Sequence, residues 1–193
     1  MIKTDIAIIG LGITSKLAAL ALASNTRKVT IFGEENSQSH SSNLVTFFSL
    51  SSIDFLKNVG IENVVNQSVS IKEISCSKLE KYQLNNKFQI NFKEKNEMGR
   101  VIINNNLSDS LDSQIKVNKN ITILNNVKIK EYKDEGVNKI LLLENEDKFS
   151  VSLLIITDKK SNLINENFKK NILKKDLKQT SIVMDVTTKT NNH

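Results

Sequence analysis

Two glycines one residue apart, Gly10 and Gly12, follow directly on the apolar run Ile6-Ala7-Ile8-Ile9 and open an alanine- and leucine-rich stretch. A strand that turns through Gly-x-Gly into a helix has the form of a dinucleotide-binding start. The first glycine allows the tight turn, and the second lets backbone amides approach a pyrophosphate. The helix N-terminus adds unpaired N–H groups and a partial positive charge facing the phosphates. The third glycine of that fingerprint belongs at position 15, where this chain carries Ser15. Serine is small enough to keep helix and strand close.

The elements around the turn suit that chemistry. Ile6 to Ile9 are apolar throughout, as a parallel strand buried on both faces must be. A helix from about 14 to 24 presents Leu17, Ala18, Leu20 and Ala21 to a sheet, and Lys28–Phe32 forms the next strand, completing a βαβ unit. The serine-rich segment 37–42 reads as a loop. Ser51 or Ser52 caps a helix carrying Ile53, Phe55, Leu56 and Val59, which Gly60 ends. Residues 69–76 and 87–93 alternate as half-exposed strands, Val101–Ile103 is a short strand, and a helix follows from about 106 to 116. Strands are expected at 121–124, 127–132, 137–144 and 149–157, the last three joined by turns into a small antiparallel meander. Its last strand, Leu153-Leu154-Ile155-Ile156, is apolar on both faces and belongs inside the parallel sheet. The polar, basic stretch 161–178 reads as loop with a short helix, and 181–186 as a closing strand. The fold class is α/β: a Rossmann-like parallel sheet, an antiparallel meander and a partial β-rich segment. The expected division is a discontinuous core of 1–68 and 97–178, with strands of a second unit in 69–96 and 179–193.

Composition narrows the function. The chain has 193 residues, 39% hydrophobic and 25% charged, which fits a soluble globular protein. No apolar run reaches the length of about 18 residues needed to span a bilayer, and no signal-peptide pattern opens the chain, so a cytoplasmic protein is expected. Cys76 is the single cysteine, which excludes an internal disulfide or a cysteine-based zinc site. The net charge of +6 comes from scattered lysines with only two arginines, Arg27 and Arg100, and 5% aromatics. That is no base-stacking platform, so no nucleic-acid partner is expected, whereas peripheral attraction to an anionic membrane fits. His40 and His193 fall in a loop and at the terminus, and neither is assigned to a site; no catalytic or metal residue is assigned.

Several strings, in order, resemble the flavin-dependent aromatic hydroxylases of ubiquinone biosynthesis. They are the Gly-x-Gly turn; Ser49-x-x-Ser52-Ile53-x-Phe55-Leu56-x-x-x-Gly60-Ile61; Gly99-Arg100-Val101-Ile102-Ile103; Leu153 to Ser161, similar to an Ala-Asp-Gly-x-x-Ser motif; and Leu177-Lys178-Gln179-Thr180-Ser181. The resemblance implies FAD in the Rossmann-like unit, NAD(P)H as reductant, and hydroxylation of a polyprenylated phenol by O₂. It assigns cofactor binding to Gly10, Gly12, Ser15, Glu34 and Asp158. The acidic residue that holds the adenosine ribose falls on Gly33, with Glu34 next. Glu34 is then either that carboxylate or a solvated loop residue. The family's arginine near its Ala-Leu-Ser string falls on Leu44, and the glycine of its Asp-Gly motif on Lys159. The family's C-terminal half, with a Gly-Asp motif at the flavin, has no counterpart here.

Three readings follow. The chain is the cofactor half of a split or truncated hydroxylase, the split form completed by a second chain; or a non-catalytic relative that is a partner in a ubiquinone-synthesis complex or has no function; or an unrelated NAD(P)- or nucleotide-binding Rossmann protein. The first requires FAD binding. The second requires a folded protein without flavin, carrying a sticky apolar face.

Overall fold

The computed structural model describes residues 1–33, 44–77, 89–158, 161, 163–164 and 175–180. Glu34, His40, Lys159 and His193, the 37–42 loop, the first residues of the 87–93 strand and the 181–186 strand lie outside them.

The chain begins with β1 (Ile2–Ile9), α1 (Ile13–Leu22) and β2 (Val29–Phe32), followed by β3 (Val45–Ser49), α2 (Leu50–Asn58) and α3 (Glu62–Asn66). Then come β4 (Val69–Ile71), β5 (Glu73–Ser77), β6 (Gln89–Lys93), β7 (Gly99–Ile103) and α4 (Asn104–Val117). It continues with β8 (Ile121–Leu124), β9 (Ile129–Glu135), β10 (Asn138–Leu143) and β11 (Lys148–Ile156). A six-stranded sheet runs in the order β8-β2-β1-β11-β10-β9. Its pairs β8–β2, β2–β1 and β1–β11 are parallel, and β11–β10 and β10–β9 are antiparallel. The α/β class with a Rossmann-like parallel sheet and an antiparallel meander is therefore the observed architecture.

The apolar runs explain the strand order. In β1, Ile6 and Ile8 join Val29, Ile31, Ile121, Ala19 and Ile115 in a core shared with α1 and α4. Ala7 and Ile9 join Phe32, Leu141, Leu143, Phe149 and Val151 in a second core built with the meander. Phe32 and Phe149 meet there edge to face at 5.1 Å. A strand flanked by two cores is largely apolar, which is why Ile6–Ile9 of β1 reads as a continuous apolar run; in β2 the one polar residue, Thr30, is buried with its Oγ1 donating to Thr4 Oγ1 at 3.0 Å.

The meander is as expected, β9, β10 and β11 running antiparallel in succession, while β8 pairs in parallel with β2 at the sheet edge. Two expectations need correction. The 69–76 strand is two strands, β4 pairing with β7 and β5 with β6. The cap of α2 is Ser49, whose Oγ accepts from the Ser52 N–H at 3.4 Å, so the helix starts before either expected serine. Its end is as expected. Gly60, at φ +85°, follows the C-cap Val59, with Gly60 N–H donating to the Lys57 carbonyl and Ile61 N–H to that of Leu56.

Strand β3 has no expectation behind it. With β7 and β4 it forms a three-stranded sheet, order β3-β7-β4. One face, through Phe48 and Ile102, packs on α2, α3 and α4. The register puts Val45, Phe47, Val101, Ile103, Val69 and Ile71 together on the other face, where all are exposed or half-buried.

Helices α1 and α4 are tied by a buried cation. Lys16 Nζ donates to Asp112 Oδ2 at 2.7 Å and to Ser108 Oγ at 2.9 Å, with 8% of its side chain exposed. Removing the carboxylate leaves the ammonium buried with one neutral partner. Asp112→Ala is expected to cost about 2 kcal/mol in urea unfolding, below the range for fully buried pairs because Asp112 is 38% exposed. Lys16→Met, which removes the charge itself, is expected to cost less. The reverse order would overturn this account of the pair.

Candidate nucleotide-binding turn

The candidate site lies where β1 ends. A parallel sheet binds ligands at the carboxyl ends of its strands, and there β1 is flanked by the ends of β2 and β11. Gly10 N–H donates to the Phe32 carbonyl at 2.9 Å. On the other side the Ile9 carbonyl accepts from Thr157 N–H at 2.9 Å, Asp158 N–H at 3.3 Å and Thr157 Oγ1 at 2.8 Å. The turn is thus fastened to both neighbours through its backbone.

Gly10 has φ +121°, a conformation rarely open to residues with a Cβ. A Cβ there would stand 2.4 Å from Thr157 Oγ1, 3.2 Å from Ser15 Oγ and 3.3 Å from the Asp158 nitrogen. Gly12 is different in kind. Its backbone is ordinarily extended (φ −73°, ψ 174°), and a Cβ on it would meet nothing within 4 Å. Gly12 is also the N-cap of α1, with no side-chain hydrogen bond over the helix end and no acidic residue in the first turn. The first N–H groups of a helix lack intrahelical partners. Open space, free donors and the positive end of the dipole therefore coincide at Gly12.

Ser15, in the third-glycine position, is fully buried, with its Oγ 2.6 Å from Thr157 Oγ1. Asp158 follows Thr157 at half-exposure, so Gly10, Ser15 and the Asp158 backbone meet at one point. Glu34 lies outside the described residues. Its neighbour Gly33 continues β2, donating to the Leu124 carbonyl at 2.8 Å and accepting from Val127 N–H at 3.0 Å. The Leu11 side chain covers Gly33, with Cδ1 2.3 Å from where a Cβ would stand. Beside this strand end, Asn126, Val127, Lys128, Leu143, Glu144 and Asn145 line a groove of about 260 Å³. Leu44, in the arginine's position, is exposed, and its carbonyl accepts from Asn104 N–H at 3.0 Å.

The sequence reading missed Thr157, although its signal was present: two positions where small side chains are usual both carry hydroxyls. It also missed Leu163, which follows the site and is buried in the meander core although its segment reads as polar. Three of the perturbed ionisable groups, Lys130, Tyr132 and Glu146, lie on the meander. There Glu146 is lowered and Lys130 raised by their mutual hydrogen bond and charge, at 2.6 Å. Among the described residues no group of three His, Cys, Asp or Glu could hold a metal ion.

No family model and no curated protein matches the sequence. Solved structures do. A probable FAD-dependent monooxygenase of Pseudomonas aeruginosa, PqsL, superposes with a TM-score of 0.64 at 16% identity, over 90% of this chain and 47% of that one. The p-nitrophenol 4-monooxygenase PnpA of Pseudomonas putida gives 0.64 at 13% identity, over 86% and 44%. Tetracycline destructase Tet(51) gives 0.61 at 15%, over 89% and 43%. This chain spans less than half the length of each, and what it shares with them is the fold.

Proposed function

We propose that the chain is the dinucleotide-binding half of an FAD-dependent aromatic-ring hydroxylase, completed by a second polypeptide. The observation that carries the reading is the turn at Gly12, where open space meets the free N–H groups of α1. The residues present suit a pyrophosphate: Gly12 admits the phosphates, and the amides of Ile13, Thr14 and Ser15 point to them from the first turn. Asp158, held by its backbone on the Ile9 carbonyl, borders the same turn. A cofactor of this kind supplies hydride acceptance from NAD(P)H and the use of O₂, while the protein binds, orients and excludes water.

The finer reading, a polyprenylated phenol of ubiquinone biosynthesis as substrate, is supported by the ordered strings from Gly10 to Ser181. The second polypeptide is supported by the apolar face of the β3-β7-β4 sheet. An exposed apolar surface of that kind marks an interaction site in a soluble protein. The proposed location is cytoplasmic, with peripheral attachment to an anionic membrane, supported by the net charge of +6. Among the described residues, no helix is long and apolar enough to cross a bilayer.

The test is the absorption spectrum of the purified chain after incubation with FAD and gel filtration. Flavin bands that co-elute with the protein are the expected result. A colourless, folded protein would overturn the flavin reading and leave the non-catalytic relative or an NAD(P)- or nucleotide-binding protein in its place.

A further inference from the structure

Ser15 and Thr157 form a hydroxyl relay whose direction can be read from its partners. Thr157 Oγ1 donates to the Ile9 carbonyl at 2.8 Å. A threonine has one hydroxyl proton, so in the 2.6 Å contact between the two hydroxyls Ser15 is the donor and Thr157 the acceptor. The chain of bonds therefore runs from the first turn of α1, through the end of β11, to the last carbonyl of β1. It lies beside the volume that a side chain on Gly10 would fill, since Thr157 Oγ1 is 2.4 Å and Ser15 Oγ 3.2 Å from that Cβ position.

We infer that this relay is a positioning device for phosphate binding: Thr157, through Ser15, holds the open N–H groups after Gly12 in place for a diphosphate. The inference rests on the nucleotide-binding reading of the turn. Three observations carry it. Ser15 is fully buried, so its hydroxyl has no water to exchange with and stays in this bond. Ser15 is the third helical residue after the Gly12 cap, within the turn that carries the free donors. The relay also ends on the residue before Gly10, so one chain of bonds fixes both sides of the Gly-x-Gly turn. In a motif where the third glycine usually gives close packing, two hydroxyls supply a directed tether. Neither residue is catalytic, because neither hydroxyl has a proton left for a ligand.

The test compares Thr157→Val, which keeps the shape and loses the hydroxyl, with Thr157→Ser, which keeps the hydroxyl. Ser15→Ala is the second variant should Thr157→Val fail to fold. Affinities for FAD and for ADP are measured by calorimetric titration, beside the melting temperature of each protein. The expected result is a loss of about tenfold for both ligands in Thr157→Val and Ser15→Ala, the effect of one hydrogen bond. In Thr157→Ser, affinity should return to within about threefold of the natural chain, by the same scale. Unchanged affinity in folded Thr157→Val overturns the inference, and so does an equal loss in Thr157→Ser. If the natural chain binds ADP and not FAD, the flavin reading falls while the relay is judged on ADP. If it binds neither, both fall.

Discussion

Gly12→Val is expected to abolish nucleotide binding, by at least about 100-fold, in a protein that still folds. The two halves of that expectation have separate causes. A Cβ at position 12 meets nothing within 4 Å, and φ −73° with ψ 174° is open to any residue. Folding therefore loses only the difference between glycine and valine as N-cap, up to about 1 kcal/mol, or a fall of about 2–4 °C in a chain of this size. Binding loses far more. The branched side chain would stand in the open volume before the first turn of α1, which a phosphate must enter to reach the amides. Each hydrogen bond to a charged group is worth about 1.5–3 kcal/mol, so displacing a phosphate from two donors reaches 100-fold. Titration of flavin fluorescence and a calorimetric melt measure the two quantities. Unchanged affinity would sink the assignment of this turn as the nucleotide site.

Legibility in the sequence followed burial. β1, β2 and β11 stand out because strands between two cores are mostly apolar, with Thr30 and Ser150 as buried exceptions, and Ile6-Ala7-Ile8-Ile9 has no other economical reading. Gly60 was equally plain, since a glycine directly after an apolar helical pattern is the usual stop. Elements that bury one face or none were harder. β3, Val45-Thr46-Phe47-Phe48-Ser49, buries little beyond Phe48, and its apolar residues face both ways, so neither alternation nor burial marks it. Among Ser49, Ser51 and Ser52 the capping residue is decided by geometry: the Ser49 hydroxyl bonds to both other hydroxyls and to the Ser52 N–H. The break at Lys72 has only a slight sequence mark, the polar pair Lys72-Glu73, which shifts the apolar alternation from Val69 and Ile71 to Ile74 and Cys76 where β4 and β5 join different sheets.

The site divides along the same line. Gly10 and Gly12 are visible because backbone chemistry demands glycine at such turns. Ser15 looks like a mere tolerated departure when taken alone. Its meaning depends on Thr157, which is 142 positions away in the chain and beside it in space. Pairing between distant positions cannot be seen by reading motifs one at a time.

Gly10→Ala shows how strongly that pairing constrains the turn. The expected cost is about 3 kcal/mol or more, a sum of two effects. Holding a non-glycine residue at φ +121° costs on the order of 1–3 kcal/mol. Crowding against Thr157 Oγ1 at 2.4 Å adds about 1–3 kcal/mol, because this oxygen is held between Ser15 and the Ile9 carbonyl and cannot simply rotate away. The two contributions separate in a double variant. Thr157→Ala removes the crowding oxygen and leaves the backbone strain, so Gly10→Ala should cost less in that background than in the natural chain, by roughly the crowding term. Chemical unfolding of the four proteins gives the cycle. Simple additivity would mean that Thr157 yields to the new methyl group without loss, and that the relay holds the turn more loosely than its bond lengths imply. A coupling of at least about 1 kcal/mol would tie the glycine requirement at position 10 to the hydroxyl at position 157.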